Sequence, residues 1–285
     1  MGANTRYKDS VFSFLFNNPD ILRELYCALE DVTLPEDIPV TINTLQDVLF
    51  MDRVNDISFV IGGKLVILIE HQSSINPNMA LRLLMYIARV YEKIVGDKNI
   101  YKSKEIRLPR PEFFVLYNGK EPCPDKEELR LSDAFEKNGL SGILDKGSPT
   151  LELTVKVLNI NQGKNEGMVK KCRTLAEYSA FVDKVREYQK ECGNLEEAIK
   201  KAIKYCREHD ILKEFLEKNA TEVFNMLMTE WNLDEALAVR FEEGCETERE
   251  KIAMNALAEG ASIEFVRKIT GLDVEDIKKL QVSEG

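Results

Sequence analysis

Residues 55–72, NDISFVIGGKLVILIEHQ, decide the fold. Two runs of mainly aliphatic and β-branched residues flank Gly62-Gly63, a pair that tolerates positive φ, so the stretch predicts a β-hairpin. The second run is apolar from Leu65 to Ile69, which indicates a strand that is buried on both faces. That strand ends in Glu70, and a buried strand rarely carries a carboxylate unless a partner or a function uses it.

The length of the hairpin loop determines which residue lies opposite Glu70. A two-residue loop would pair Asn55 with Glu70, whereas a three-residue loop or a single bulge places Asp56 there. We expect the second register, because it brings two carboxylates together. Since strand side chains alternate between faces, Glu70 and Gln72 should share one face and His71 should lie on the other.

Two carboxylates on facing strand positions suit a hard divalent cation. Asp56 and Glu70 would be the metal ligands, and the carbonyl of His71 and water would complete the shell. Such a metal polarises a phosphate and lowers the pKa of a bound water, which is the chemistry of phosphodiester hydrolysis. We therefore expect Mg²⁺ as the cofactor, with Mn²⁺ as a substitute. Ordinary solvated strand ends explain the spacing of Asp56 and Glu70 equally well when it is considered alone.

The same residues resemble the PD-(D/E)XK nuclease superfamily, which carries Asp on one core strand and (Glu/Asp)-x-Lys on the next. Here Asp56 precedes Glu70-x-Gln72, so an amide stands where the superfamily has lysine. Gln72 can orient the attacking water but adds no positive charge to the transition state. Four further segments make the chain similar to the Rpn family of recombination-promoting nucleases and putative transposases, also called YhgA-like: Ile69–Ser73, Leu81–Glu92, Leu116–Gly119 and Leu158–Asn161.

The resemblance implies an α/β fold with a restriction-endonuclease-like PD-(D/E)XK core, a mixed sheet flanked by helices. It implies a Mg²⁺-dependent DNA endonuclease acting in recombination or on mobile DNA, with Asp56, Glu70 and Gln72 as catalytic residues. Two alternatives remain open. The chain could be a catalytically silent relative that binds DNA or protein partners, or a nuclease acting on RNA, since metal-assisted hydrolysis does not choose the sugar.

The first 30 residues predict two helices that meet at Asn18-Pro19-Asp20, with Asp20 as the cap of the second helix. The superfamily commonly places a further acid on its first core helix. Glu24 is the candidate that we retain, and Glu30 and Asp9 are alternatives. A solvated helix face explains Glu24 equally well.

After the hairpin, a long helix should run from near Pro77 to about Val95. Its apolar face is predicted to consist of Leu81, Leu84, Met85, Ala88, Tyr91 and Val95. Another stripe combines Tyr86 with three basic residues, which are the candidates for contacts with DNA phosphates: Arg82, Arg89 and Lys93. The alternative is a solvated face from which Arg82 or Arg89 pairs with a core carboxylate.

Three further strands follow from the apolar pattern: an edge strand within Val40–Met51, and strands at Phe113–Tyr117 and Leu151–Ile160. The basic stretch Lys98–Arg110 is predicted to be a loop, either facing DNA or simply solvated. Residues Pro122–Leu129 also carry the signals of a loop.

From about Gly167, prolines vanish and helical periodicity continues to the end of the chain. We therefore predict a nuclease-like core at 1–166, a helical lobe at 167–243 and a short tail at 244–285. The lobe could pack on the core, close over substrate or form a homo-oligomer. The tail resembles a helix-turn-helix, but its second helix, Asp273–Leu280, begins with carboxylates that would repel phosphate, which favours a protein contact or a regulatory role.

Composition limits the class of protein. The formal net charge is −10, so any DNA contact must come from a local basic patch. Six scattered cysteines without a Cys-x-x-Cys pair, together with two histidines, argue against a zinc site and favour reduced thiols. No signal peptide or membrane-length apolar run stands out, so we expect a cytoplasmic protein without a membrane partner.

Overall fold

The computed structural model describes residues 11–43, 56–63, 65–96, 100–101, 103–136 and 149–282. Within these residues the fold is α/β, as predicted. Asp9 lies outside the described residues, and so does the greater part of the edge strand predicted within Val40–Met51.

A six-stranded mixed sheet forms the centre of the fold, in the order β1-β2-β3-β4-β6-β5. Strands β1 to β3 are antiparallel, β3, β4 and β6 run parallel, and β5 pairs antiparallel with β6. The carboxyl ends of the three parallel strands therefore meet at one edge of the sheet. The strands are β1 Val40–Asn43, β2 Asp56–Ile61, β3 Leu65–Gln72, β4 Arg110–Tyr117, β5 Lys126–Arg130 and β6 Thr154–Asn159.

Helices account for most of the remaining chain. Helix α7, Lys213–Ala258, contains one residue, Asn219, with non-helical backbone angles (φ −127°, ψ 22°). The α-helices are α1 Val11–Leu15, α2 Pro19–Glu30, α3 Met79–Val95, α4 Glu166–Val169, α5 Arg173–Cys192, α6 Leu195–Glu208, α7 Lys213–Ala258, α8 Ile263–Thr270 and α9 Val274–Val282; a 3₁₀ helix spans Leu131–Ala134.

The two faces of the sheet are covered by different helices. Helix α3 packs on one face, where its residues form a core with Val115, Tyr117 and Val157 of the parallel strands. The opposite face carries His71, which contacts Phe12 of α1 and Tyr178 of α5. This division determines the surroundings of each residue of β3, because successive residues point to opposite faces.

The cap of α2 differs from the prediction. Asn18 is the N-cap residue, and its Oδ1 accepts hydrogen bonds from the backbone amides of Asp20 at 2.8 Å and Ile21 at 3.4 Å. Pro19 follows at the first helical position, where a backbone N–H would lack a partner in any case. Asp20 lies in the first turn, where its charge favours the positive end of the helix dipole.

Helix α3 has nearly the predicted bounds but buries a different face. Leu81 and Met85, which we expected in the core, are 39% and 56% exposed. Tyr86, which we expected on the basic stripe, is only 8% exposed. The helix has apolar residues around most of its circumference, so hydrophobicity alone did not identify the inner face: Met79, Ala80, Leu83, Tyr86, Ile87 and Val90.

The loop predicted within Pro122–Leu129 is wrong in its second half, because Lys126–Arg130 forms strand β5 at the edge of the sheet. Four of its five residues are exposed and only Leu129 is partly buried. An edge strand can keep polar side chains on both faces, so it lacks the apolar alternation that marks a central strand. The strand predicted at Leu151–Ile160 is shorter than expected, and Leu151 is 50% exposed.

The chain divides into two compact units, Met1–Leu227 and Met228–Gly285. The first unit contains the sheet. The second has a small core of its own, formed by Ala253, Val266 and Ile277. The three-part division with boundaries at 166 and 243 stays a prediction. In the described part of the chain, no helix combines the length and the apolar character that crossing a bilayer requires.

Candidate active site

The hairpin has the register that brings the two acidic positions together. Asp56 is the direct partner of Glu70 in the antiparallel pairing of β2 with β3, and Ile61 pairs with Leu65 across a three-residue loop. Directly opposite residues share a face of the sheet, so Asp56 and Glu70 lie on the face that α3 covers. The predicted register is confirmed.

Glu70 is a buried carboxylate with two partners on one oxygen. Its side chain is 5% exposed, and its Oε1 lies 2.6 Å from Nη2 of Arg82 in a salt bridge. The same Oε1 accepts a hydrogen bond from Nε2 of Gln72 at 3.1 Å. Gln72 therefore shares a face with Glu70, as predicted, and the two residues form one hydrogen-bonded group with Arg82.

Arg82 connects this group to helix α3. Its Nη2 also donates to the hydroxyl of Tyr86 at 3.1 Å, and its Nη1 lies 3.4 Å from the sulfur of Met79. The Arg82 side chain is 26% exposed, so it is partly open to solvent beside the buried Glu70. Of the two interpretations of Arg82 left open by the sequence, the structure supports pairing with a core carboxylate.

The other two basic residues of the predicted DNA-binding stripe, Arg89 and Lys93, lie further along α3. Both are exposed. Because an α-helix has 3.6 residues per turn, positions 82, 89 and 93 lie on one side of α3, beside its buried face. The stripe is therefore present, although its first member is engaged with Glu70 and Tyr86 lies in the core.

His71 lies on the opposite face, as predicted. Its ring stacks on Phe12 with centroids 4.7 Å apart, and Nε2 lies 3.2 Å from the hydroxyl of Tyr178. Burial, with a smaller contribution from the charge of Arg186, lowers the pKa of His71 from 6.5 to about 3. The imidazole is therefore neutral and has a structural role in the sheet.

Glu24, the candidate additional acid, has a helix-capping contact. Its carboxylate accepts a hydrogen bond from the backbone amide of Arg173, at the start of α5, at 2.7 Å. Glu30, the alternative, forms a salt bridge with Lys156 of β6. A role for Glu24 in metal binding stays a prediction.

Sequence reasoning missed an asparagine and arginine network at the carboxyl edge of the sheet. Asn161 donates to the carbonyl of Gly119 at 3.1 Å and to Oδ1 of Asn159 at 2.9 Å, and it accepts from Nη1 of Arg186 at 2.7 Å. Beside it, the backbone amide of Asn118 donates to the carbonyl of Gln72 at 2.8 Å. The network connects the ends of β4 and β6 to α5, and it reaches β3 at Gln72. Its asparagines lie in two of the segments that carried the family resemblance, Leu116–Gly119 and Leu158–Asn161, but no pattern in the sequence indicated Arg186 as their partner.

The donors around Glu70 are compatible with a hard cation. Glu70 supplies a carboxylate and Gln72 an amide oxygen, both of them ligands that Mg²⁺ accepts. The side chain of Asp56, the other predicted ligand, lies outside the described part of the structure. Ser58, on the same face two residues after Asp56, is 1% exposed, and its hydroxyl has no hydrogen-bond partner among the described residues. In the described part of the chain, no group of three or more His, Cys, Asp or Glu side chains is arranged so that it could hold a metal ion.

Comparison with known proteins identifies one family. The family model described as "Putative transposase, YhgA-like" matches residues 19–189, which is more than half of the chain. This range includes the hairpin, helix α3 and the asparagine and arginine network. No curated protein and no solved structure matches the chain.

Proposed function

The chain belongs to the YhgA-like family of putative transposases, and from this premise we propose that it is a Mg²⁺-dependent DNA endonuclease with a PD-(D/E)XK core, acting in recombination or on mobile DNA. The observation that carries the proposal is the pairing of Asp56 with Glu70. Two acidic residues at one register position, on the covered face of a mixed sheet, match the arrangement that this superfamily requires.

Each residue of the site has a proposed task. Asp56 and Glu70 hold the cation, and Gln72 orients the attacking water through its amide. The bound Mg²⁺ would polarise the scissile phosphate and lower the pKa of water. Arg89 and Lys93 contact phosphates of the DNA backbone, which provide affinity without sequence preference.

A second candidate function is binding of DNA without cleavage. It is favoured by the composition of the site, because Gln72 stands where the superfamily has lysine and Arg82 neutralises the charge of Glu70. A fold that keeps Glu70 only as a salt-bridge partner would still present Arg89 and Lys93 to DNA.

Plasmid nicking tests the proposal. Wild-type protein, Asp56→Asn and Glu70→Gln are incubated with supercoiled DNA in Mg²⁺, Mn²⁺ or EDTA. The matched control is Glu92→Gln, which removes the same charge from an exposed position on α3. We expect metal-dependent nicking by wild type and Glu92→Gln and its loss in both site variants.

Nicking that survives in Glu70→Gln would refute the assignment of the site. An intact plasmid combined with retarded migration of DNA on a gel would support the binding function instead. A parallel reaction with RNA and DNA strands of the same sequence decides between the two substrates.

A further inference from the structure

The side chain that neutralises Glu70 is the one most affected if Glu70 binds a cation. A carboxylate that is 5% exposed is costly without a positive partner, and in the described structure Arg82 supplies that charge. Oε1 of Glu70 forms a salt bridge with Arg82 and accepts a hydrogen bond from Gln72. A cation at Glu70 would therefore share this carboxylate with the guanidinium.

A guanidinium and a divalent cation at Glu70 would bring three positive charges against the two negative charges of Glu70 and Asp56. Like charges a few ångströms apart repel strongly in a partly buried site. Arg82 therefore opposes cation binding for as long as it remains on Glu70. A cation can replace Arg82 as the partner of Glu70 only if the guanidinium moves away from the carboxylate.

Tyr86 is a second partner of Arg82 beside Glu70. Its hydroxyl accepts from Nη2 of Arg82 at 3.1 Å, and the guanidinium carbon lies 5.9 Å from the centre of the tyrosine ring. The Arg82 side chain is also 26% exposed, on the side of α3 that carries Arg89 and Lys93. Rotation of the arginine side chain can thus release Glu70 and turn the guanidinium toward an anion in solvent.

We infer that Arg82 is a latch on the candidate metal centre, which holds Glu70 in the resting protein and leaves it for a nucleic-acid phosphate when Glu70 takes a divalent cation. Cation and nucleic acid then bind cooperatively, because each stabilises the same position of Arg82. The released guanidinium also supplies the positive charge that Gln72 lacks. This inference rests on the proposed function and adds to it the order and coupling of binding.

Binding of Mn²⁺ to the full chain, measured by calorimetry without nucleic acid, tests the latch. Arg82→Gln removes the competing charge and should tighten Mn²⁺ binding by about tenfold. Arg207→Gln, the same substitution at an exposed position of α6, is the matched control and should bind Mn²⁺ as wild type does. Mn²⁺ binding that is unchanged or weaker in Arg82→Gln would overturn the latch.

Cooperativity gives a second measurement. A short phosphorothioate duplex should tighten Mn²⁺ binding by wild type about tenfold and should leave Arg82→Gln almost unchanged. An equal response of both proteins to the duplex would overturn the inference. If wild type binds Mn²⁺ no better than Glu70→Gln, the proposed metal site itself fails, which separates the two failures.

Arg82→Lys keeps the test decisive if Arg82→Gln does not fold. Lysine keeps the positive charge that competes with the cation for Glu70, so Mn²⁺ binding should stay within about twofold of wild type and should still tighten with the duplex. Tighter Mn²⁺ binding in the absence of the duplex, or no response to the duplex, would overturn the latch.

Discussion

At the scale of single residues, Glu70 and Arg82 are unequal members of one salt bridge. The side chain of Glu70 is 5% exposed and that of Arg82 is 26% exposed. Loss of Arg82 removes a counterion from a buried negative charge, whereas Glu70→Gln leaves a side chain that can still accept from Arg82. The pair should therefore respond very differently to removal of one partner or the other.

We predict that Arg82→Met lowers the free energy of unfolding by about 3 kcal/mol and that Glu70→Gln lowers it by about 1 kcal/mol. In the double variant the buried charge is gone, so it should be about as stable as Glu70→Gln alone. Urea unfolding of the four proteins without metal measures the coupling as a double-mutant cycle. If Glu70→Gln lowered the free energy of unfolding more than Arg82→Met does, the result would contradict the greater burial of Glu70.

His71 gives the protein a pH-dependent stability. Its pKa is about 3 in the folded chain and 6.5 is its ordinary value. Below pH 6.5 the unfolded chain takes up a proton that the folded chain refuses. The contribution of His71 is therefore complete above pH 6.5 and is lost as the pH falls toward 3, by at most about 1.4 kcal/mol per pH unit.

The measurement compares urea unfolding of wild type and His71→Phe across that pH range, in metal-free buffer. Phenylalanine keeps a ring against Phe12 but cannot take up a proton, so the wild-type curve should fall more steeply. His209→Gln is the control, because it removes the other histidine of the chain, at an exposed position. Parallel curves for wild type and His71→Phe would exclude the buried imidazole as the cause.

At the scale of elements, Gly119 allows β3 and β4 to end close together. A Cβ at this position would lie 2.1 Å from the carbonyl oxygen of Ser73 and 2.4 Å from the hydroxyl of Tyr117. The first contact is with backbone next to Gln72, so it cannot be relieved by a side-chain rotation. We predict that Gly119→Ala lowers the free energy of unfolding by about 2–4 kcal/mol.

Gly167→Ala is the matched control in the same part of the fold. It lies in α4, where a Cβ would meet nothing within 4 Å. Alanine favours a helix over glycine by up to about 1 kcal/mol, so this variant should be unchanged or slightly more stable. Chemical unfolding measures the stability of both variants. An unchanged free energy of unfolding in Gly119→Ala would show that the ends of β3 and β4 can separate.

The elements also show what the sequence could predict. The Asp56–Glu70 register followed from the number of residues between two apolar runs, because pairing is local and has a period of two. The inner face of α3 did not follow, because apolar residues cover more than half of the helix circumference and packing against the sheet selects which of them are buried. Strand β5 was missed for a related reason, since an exposed edge strand needs no apolar face.

At the scale of the whole molecule, the contacts missed were those between distant segments. Arg186 of α5 reaches Asn161 after β6, and Tyr178 reaches His71 across 107 positions of the chain. Nothing in the local pattern of α5 distinguishes Arg186 from its solvated neighbours. The sequence therefore predicted which residues of β2 and β3 meet, but not the side chains that surround them.

The net charge of −10 makes the proposed DNA binding depend on a few residues. A net negative charge repels phosphate, so affinity must come from a local basic stripe and must fall steeply with salt. If Arg89 and Lys93 each neutralise one phosphate, the slope of log K against log salt should become less negative by about 2 in the double variant Arg89→Gln/Lys93→Gln.

The slope is measured with a short duplex in EDTA, which prevents metal-dependent cleavage. The control, Lys204→Gln/Arg207→Gln, changes the net charge equally at exposed positions of α6. A pure net-charge effect would weaken both variants alike, whereas phosphate contacts change the slope only where they are lost. An unchanged slope in Arg89→Gln/Lys93→Gln would remove this side of α3 from the DNA interface. It would also weaken the latch, because Arg82 is proposed to turn toward a phosphate on the same side of that helix.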